Sequence, residues 1–139
     1  MYQGIYEPNE WTTKFICVWY IEKGTQTARN SRGTENLGEH MTAPNFDILD
    51  YGDGIFPIVV QKKKGFKIKG EVYEVNSAIF QLTDSIEIGA GYKPMTIHLI
   101  PDNIQAIIYV YTDKINLEMS DNFIIVKDNM KEWKNGRNW

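Results

Sequence analysis

The chain has few of the residues on which disulfide and metal chemistry depend. Its 139 residues include one cysteine, Cys17, and two histidines, His40 and His98. A single cysteine cannot form an internal disulfide, and isolated histidines without a cysteine cluster give little support for a zinc site. Cys17 lies in an apolar run, where a small core residue is its usual role. We therefore expect neither a metal nor another cofactor.

Long apolar runs and an excess of positive charge are also missing. No run approaches the roughly 20 apolar residues of a membrane-spanning helix, and the chain opens without the pattern of a secretory signal. Fifteen basic and 18 acidic residues give a net charge of −3, whereas nucleic-acid binders usually carry a basic surface. These absences disfavour membrane and nucleic-acid partners, and the expected location is the cytoplasm.

The sequence does have enough apolar and aromatic residues for one packed domain, taken as residues 1–139. Hydrophobic residues make up 42% and aromatic residues 13% of the chain, which suits a β-rich core. The apolar run 15–21 predicts a buried central strand, and alternation over 66–75 predicts a strand with one buried face. Gly70 interrupts that buried row and indicates a bulge or a close backbone approach. Residues 22–45 are rich in turn formers and predict a loop with at most one short helix.

Further along, a helix and a hairpin are predicted. Asn76 or Ser77 can cap a short helix that stops before Gly89, and residues 95–99 and 104–111 form an antiparallel hairpin. The stretch from Asp121 to Trp133 fits either a helix or a strand. These elements give an α+β fold with about six strands in a barrel-like sheet and one or two short helices.

The sequence contains two more polar segments, an acidic turn and a C-terminal tail. The acidic turn 50–54 lacks the spacing of a calcium loop, so a solvated turn is preferred. The tail 131–139 combines basic residues with two tryptophans; it is interpreted as packing on its own barrel, with a partner-docking tail as the alternative.

Several strings from Met41 to Tyr111 resemble the gamma-glutamylcyclotransferase-like, or AIG2-like, family. The most specific part is the string 70–75, Gly-Glu-Val-Tyr-Glu-Val, followed by Asp84, Glu87 and Tyr92. Residues 1–14 and 112–139 show no comparable match. The resemblance implies a small mixed β-barrel with flanking helices and one cavity at its mouth.

The resemblance also implies a reaction and its residues. A gamma-glutamyl amine or peptide cyclises to 5-oxoproline when its own α-amine attacks the side-chain carbonyl, and the protein binds the substrate and moves protons. Glu87 occupies the family's Leu-Asp-x-x-Glu position and is the candidate acid and base. Tyr92 is a candidate for lining the cavity or orienting that carboxylate. The family needs no metal.

The family's glycine-containing binding loop differs here. Its Tyr-Gly-Ser/Thr-Leu pattern aligns with Val18, Trp19, Tyr20 and Ile21, which are therefore the candidate substrate-binding segment, and Trp19 takes the glycine position. Glycine allows close backbone approach to a ligand, whereas tryptophan fills that volume. Two hypotheses stay open: an active cyclotransferase, or a catalytically silent member that binds a small ligand or a protein partner.

Overall fold

The computed structural model describes residues 12–18, 34–51, 56–112 and 119–134, which form ten strands and one helix. The elements are β1 (Thr12–Cys17), β2 (Thr34–Met41), β3 (Phe46–Tyr51), β4 (Phe56–Gln61), β5 (Lys67–Asn76), α1 (Ser77–Gly89), β6 (Tyr92–Leu99), β7 (Ile104–Tyr111), β8 (Met119–Ser120), β9 (Ile124–Lys127) and β10 (Met130–Trp133). The predicted α+β class is confirmed. Strands outnumber the expected six because β2 and β8 come from segments that were not predicted as strands, and β9 and β10 come from the stretch that fitted either a helix or a strand.

A mixed seven-stranded sheet curls into a half-barrel and carries most of the core. Its order is β6-β7-β1-β5-β10-β9, and β2 also pairs with β5. The β1–β7 and β5–β10 pairs are parallel, whereas the remaining pairs of this sheet are antiparallel. A second sheet has the order β4-β3-β8. The predicted central position of β1 is confirmed, since it lies between β7 and β5.

In strand β5 the alternating sequence pattern corresponds to one buried face and one more exposed face. Ile68, Gly70 and Val72 are buried, and the intervening side chains are only half-buried, as a strand with one core-facing side requires. A Cβ atom on Gly70 would lie 2.6 Å from the carbonyl oxygen of Cys17. The close backbone approach predicted at this glycine is therefore confirmed, and β1 and β5 can pack together only without a side chain there.

The prediction of a loop is wrong for Thr34–Met41, which form β2. This strand pairs with β5 along its length, and the register shifts between Asn36 and Gly38. Gly38 has a φ of 92°, a conformation that glycine adopts without steric cost. The turn-forming residues thus mark a β-bulge within a strand whose pairing comes from a distant part of the chain.

Helix α1 and the following hairpin agree closely with the local signals. Asn76 is the N-cap, and its side-chain oxygen accepts a hydrogen bond of 2.9 Å from the Ile79 amide. The helix includes Gly89 and is capped by Ala90, so it ends slightly later than predicted. Strands β6 and β7 pair from Tyr92↔Tyr111 to Leu99↔Ile104, which confirms the predicted hairpin.

The C-terminal stretch is a strand hairpin, which decides between its two predicted forms. Asp128 and Asn129 have φ values of 53° and 61°, as a tight turn between β9 and β10 requires. Trp133 is 1% exposed, and its indole N–H donates a 2.7 Å hydrogen bond to Asp50. This packing confirms the interpretation of the tail for Trp133, whereas Trp139 lies outside the described residues.

The prediction of a solvated acidic turn over residues 50–54 is wrong for Asp50, whereas residues 52–54 lie outside the described residues. Asp50 lies in β3 and is fully buried, because the indole of Trp133 supplies a hydrogen-bond donor inside the core. Within the described parts of the chain, no helix is long and apolar enough to cross a membrane.

Candidate functional site

A cavity of about 350 Å³ lies where β1, β4, α1, β6 and β7 meet. Its volume is at the lower end of the range typical of small-molecule sites, about 300–1,000 Å³. The walls are formed by Phe15, Ile16, Cys17, Val18, Phe56, Pro57, Val59, Thr83, Ile86, Glu87, Ala90, Tyr92, Ile108 and Tyr109. Most of these side chains are apolar, and only a few polar groups face the space.

Helix α1 brings Glu87 to the cavity through its helical spacing. Thr83, Ile86, Glu87 and Ala90 all line the space, and residues three and four apart share one helix face. The opposite end of the helix is fixed by the Asn76 cap. The local sequence therefore sets both the start of α1 and the face on which Glu87 lies.

Burial changes the acidity of Glu87. The side chain is half-buried among apolar walls, and this desolvation raises the pKa of its carboxyl above the ordinary value of 4.5. Loss of water disfavours the charged form because the cavity solvates a carboxylate poorly. The described lining includes no lysine, arginine or histidine that would oppose this effect. Glu87 is thus a carboxyl group with an increased affinity for protons.

Two tyrosines, Tyr92 and Tyr109, line the cavity with Glu87. Desolvation, followed by the negative charges of Glu87 and Tyr111, raises the pKa of Tyr92 to about 12. Burial also raises the pKa of Tyr109, whose hydroxyl donates a 2.9 Å hydrogen bond to Asp84 Oδ1. Both phenols therefore stay neutral at physiological pH. Tyr92 can donate a hydrogen bond to a ligand. The hydrogen bond from Tyr109 on β7 to Asp84 on α1 connects these two elements.

The structure brings together three of the six residues that the sequence selected. Val18, Glu87 and Tyr92 line one cavity. Trp19, Tyr20 and Ile21 lie outside the described residues, so the remainder of the candidate binding segment is known from its sequence alone.

Tyr109 lines the cavity and is hydrogen-bonded to Asp84, and neither residue was assigned a functional role from the sequence. Both fall in strings that match the family, and Asp84 precedes Glu87 by about one helical turn. That spacing was a signal for a shared helix face. The partnership with Tyr109 had no local signal, because it joins a helix to a distant strand.

Side chains that could bind a metal ion are not clustered in the part of the chain that the structure describes. Among residues 12–18, 34–51, 56–112 and 119–134, no three histidine, cysteine, aspartate or glutamate side chains are grouped so that they could hold a metal ion. His40 is 5% exposed and lies 3.3 Å from Asp102, away from the cavity lining. His98, on β6, is exposed.

Solved structures with the same fold include proteins from distant organisms. An AIG2-like protein from Mus musculus has a TM-score of 0.62 and 16% identity, over 77% of this chain and 82% of the mouse chain. An uncharacterised protein from Pyrococcus horikoshii has a TM-score of 0.58 and 23% identity, over 77% and 84% of the two chains. The ytfP protein from Escherichia coli has a TM-score of 0.58 and 19% identity, over 77% and 90%. At these identities the likeness concerns the fold.

The family assignment depends on the sequence itself. No curated protein matches the chain. The family model described as gamma-glutamyl cyclotransferase, AIG2-like, matches residues 22–135, which include β2 through β10 and helix α1. The match extends beyond the 41–111 stretch that carried the resemblance and begins immediately after Ile21. The chain therefore belongs to the AIG2-like gamma-glutamyl cyclotransferase family.

Proposed function

We propose that the protein cyclises a gamma-glutamyl amine or peptide to 5-oxoproline, with Glu87 as general acid and base. The observation that carries this proposal is a half-buried carboxyl with a raised pKa on the wall of a largely apolar cavity. Perturbed carboxyls in clefts are typical of acid–base catalysts. Family membership supplies the reaction class, and the cavity supplies a place for the substrate.

The reaction needs no external nucleophile. The substrate's α-amine attacks its own γ-carbonyl carbon, which forms the C–N bond of the lactam ring, while the Glu87 carboxylate takes a proton from that nitrogen. Collapse of the tetrahedral intermediate breaks the bond to the departing nitrogen, which receives the proton from Glu87. One carboxyl thus takes and returns the same proton, and holding the substrate in a folded conformer supplies much of the acceleration.

The neighbouring groups have supporting roles in this proposal. The segment from Val18 to Ile21 would bind the glutamyl head group, as in the resemblance. Tyr92, a neutral donor beside Glu87, would hydrogen-bond the substrate or the carboxylate. Tyr109 and Asp84 would fix the helix from which Glu87 projects, since their bond joins α1 to β7.

The test is release of 5-oxoproline from gamma-glutamyl amides by the wild type and by Glu87→Gln. The amide keeps the size of the side chain but cannot exchange the proton, so we expect the rate to fall about 10²–10⁴-fold. Glu35→Gln is the matched control, because Glu35 is exposed on β2 and is not part of the cavity lining. Wild-type activity in Glu87→Gln would refute the role of Glu87.

A catalytically silent, ligand-binding member is the second candidate. It is favoured by Trp19 in the family's glycine position and by the apolar cavity walls. In this case the wild type releases no 5-oxoproline, whereas Trp19→Gly, which restores space at that position, gains activity. Turnover by the wild type would exclude this candidate.

A further inference from the structure

Helix α1 carries an apolar stripe that the described residues leave largely uncovered. The residues of this stripe share one helix face because they are three or four positions apart; they are Ile79, Leu82, Ile86 and the C-cap Ala90. Leu82 is 63% and Ile86 is 60% exposed. An apolar stripe on a helix normally packs against a partner, so we expect this face to be covered by one.

The stripe borders the candidate cavity. Ile86 and Ala90 belong to the cavity lining as well as to the stripe, and Glu87 lies between them in the sequence. The stripe therefore forms the helical rim of the cavity. A segment that covers Leu82 and Ile86 also covers this rim.

Strand β1 brings the start of the chain to this helix. Thr12 is the first residue of β1 and pairs with Asn76, the N-cap of α1. Paired Cα atoms of antiparallel strands are about 4.5–5.5 Å apart. Residues 1–11 lie outside the described residues, but they join the fold at Thr12 and hence beside the first turn of α1.

The length of this segment fits the stripe. Eleven residues span up to about 36 Å, whereas the 13 residues of α1 make a helix about 20 Å long. The segment is thus long enough to follow the stripe from its attachment point to the cavity rim.

The composition of residues 1–11 suits an apolar contact. The segment includes five apolar or aromatic residues and has no lysine or arginine; the five are Met1, Tyr2, Ile5, Tyr6 and Trp11. Helix α1 also contains no lysine or arginine, so the acidic side chains of Glu7 and Glu10 find no cation there. Burial of apolar surface is therefore the attraction between the two.

A second copy of the chain is a poor partner for a surface of this size. A helix face about 20 Å long and 10 Å wide offers on the order of a few hundred Å², whereas stable interfaces between proteins bury about 1,200–2,000 Å² in total. A segment of the same chain is held nearby, because a short tether gives an effective concentration in the mM range. The stripe therefore suits a tethered segment better than a separate molecule.

We propose that residues 1–11 pack along the outer face of α1, over Leu82 and Ile86, and cover the helical rim of the cavity. This intramolecular contact goes beyond the proposed catalytic function and does not depend on it.

A nitroxide label on Gln3→Cys reports where the segment lies. It is attached in a Cys17→Ser background, since Cys17 is the only cysteine of the chain, and paramagnetic broadening is measured on the backbone amide signals of the full chain. We expect the α1 amides around Leu82 and Ile86 to lose at least half their intensity relative to the reduced label. The amides of β9 should keep theirs, because β9 and β10 lie at the opposite end of β5 from the start of α1.

The double variant Leu82→Lys with Ile86→Lys tests whether the apolar stripe makes the contact. Charged side chains there oppose apolar packing, so we expect the broadening of α1 to fall at least threefold. Ile125→Lys with Val126→Lys is the matched control and should leave the broadening unchanged, because these apolar side chains are also exposed, at 44% and 56%. Unchanged amide shifts in the core strands establish that each variant is folded.

Three outcomes overturn the inference. The first is full intensity of the α1 signals, and the second is broadening that the lysine pair at positions 82 and 86 does not reduce. The third is equal broadening of α1 in a mixture of labelled protein without ¹⁵N and unlabelled ¹⁵N-enriched protein, which would identify a second copy as the occupant. Because the measurement does not use 5-oxoproline release, it can fail while the proposed function stands.

Discussion

At Glu87 the same burial that suits a proton-transfer group also destabilises its charged form. The carboxyl's pKa is raised by desolvation, because the folded protein solvates the charged form less well than water does. Unfolding returns this group to water. The ionised side chain is therefore better solvated in the unfolded chain than in the folded protein.

The direction of the pH effect on stability follows from the number of protons that Glu87 binds in the folded and unfolded states. Between the ordinary value of 4.5 and the raised pKa, folded Glu87 binds more protons than unfolded Glu87. The free energy of unfolding therefore decreases as pH rises through this window. Above the raised pKa the penalty is complete and constant, and below 4.5 it is absent.

Glu87→Gln should remove this penalty. We expect the variant to unfold at a higher temperature than the wild type at pH 7, with a difference that shrinks as pH approaches 4. Thermal unfolding between pH 4 and pH 8 measures both quantities, and Glu35→Gln reports the effect of removing an exposed carboxylate. A variant less stable than the wild type at pH 7, or a gain independent of pH, contradicts the prediction.

At the scale of elements, α1 is attached to the barrel by few interactions. None of its residues is fully buried, and Leu82, Ile86 and Ile88 are more than half exposed. Its position depends on the Asn76 cap and on the hydrogen bond between Tyr109 and Asp84. Since Glu87 lies near the end of this helix, a local loosening of α1 reaches the site directly.

Asn76→Ala tests this dependence. Losing an N-cap costs about 1 kcal/mol, which corresponds to roughly a fivefold change in an opening equilibrium. We expect hydrogen exchange of the α1 amides to accelerate by that factor and 5-oxoproline release to fall.

Asn76→Asp is the matched control, because its carboxylate can accept the same bond from the Ile79 amide. Equal exchange rates in the alanine and aspartate variants would show that the cap does not hold α1.

The same elements show which parts of the fold local sequence patterns can predict. Strand β5 and helix α1 were predictable because the alternation of apolar and polar residues and the helix N-cap are each contained within about ten consecutive residues. Thr34–Met41 were not, since Gly38 and its polar neighbours form a strand only through pairing with β5. Local patterns also could not show that Asp50 would be buried, because its partner Trp133 is far along the chain.

Across the whole molecule, the candidate site depends on the mutual position of the two sheets. Strand β4 of the three-stranded sheet and strands β1, β6 and β7 of the seven-stranded sheet line one cavity. Family resemblance could select Glu87 and Tyr92, but the apolar walls from Phe56 and Val59 required the folded chain.

The hydrogen bond between Trp133 and Asp50 joins these sheets, because Trp133 lies on β10 and Asp50 on β3. Both side chains are almost completely buried, at 1% and 0% exposure. A buried carboxyl that loses a donor retains its desolvation cost. Removing the indole N–H should therefore be expensive, whereas an aspartate in a solvated turn would hardly respond.

Trp133→Phe should lower the free energy of unfolding by about 2–4 kcal/mol, from a lost bond to a carboxyl and the space left by the smaller ring. Asp50→Asn keeps one acceptor oxygen and should cost less. In the Asp50→Asn background the tryptophan substitution should also be milder, with a coupling of about 0.5–3 kcal/mol between the sites. Urea unfolding of the four proteins in this cycle measures the coupling. Additive effects, or a Trp133→Phe cost below about 0.5 kcal/mol, would mean that the two sheets are held together by other contacts.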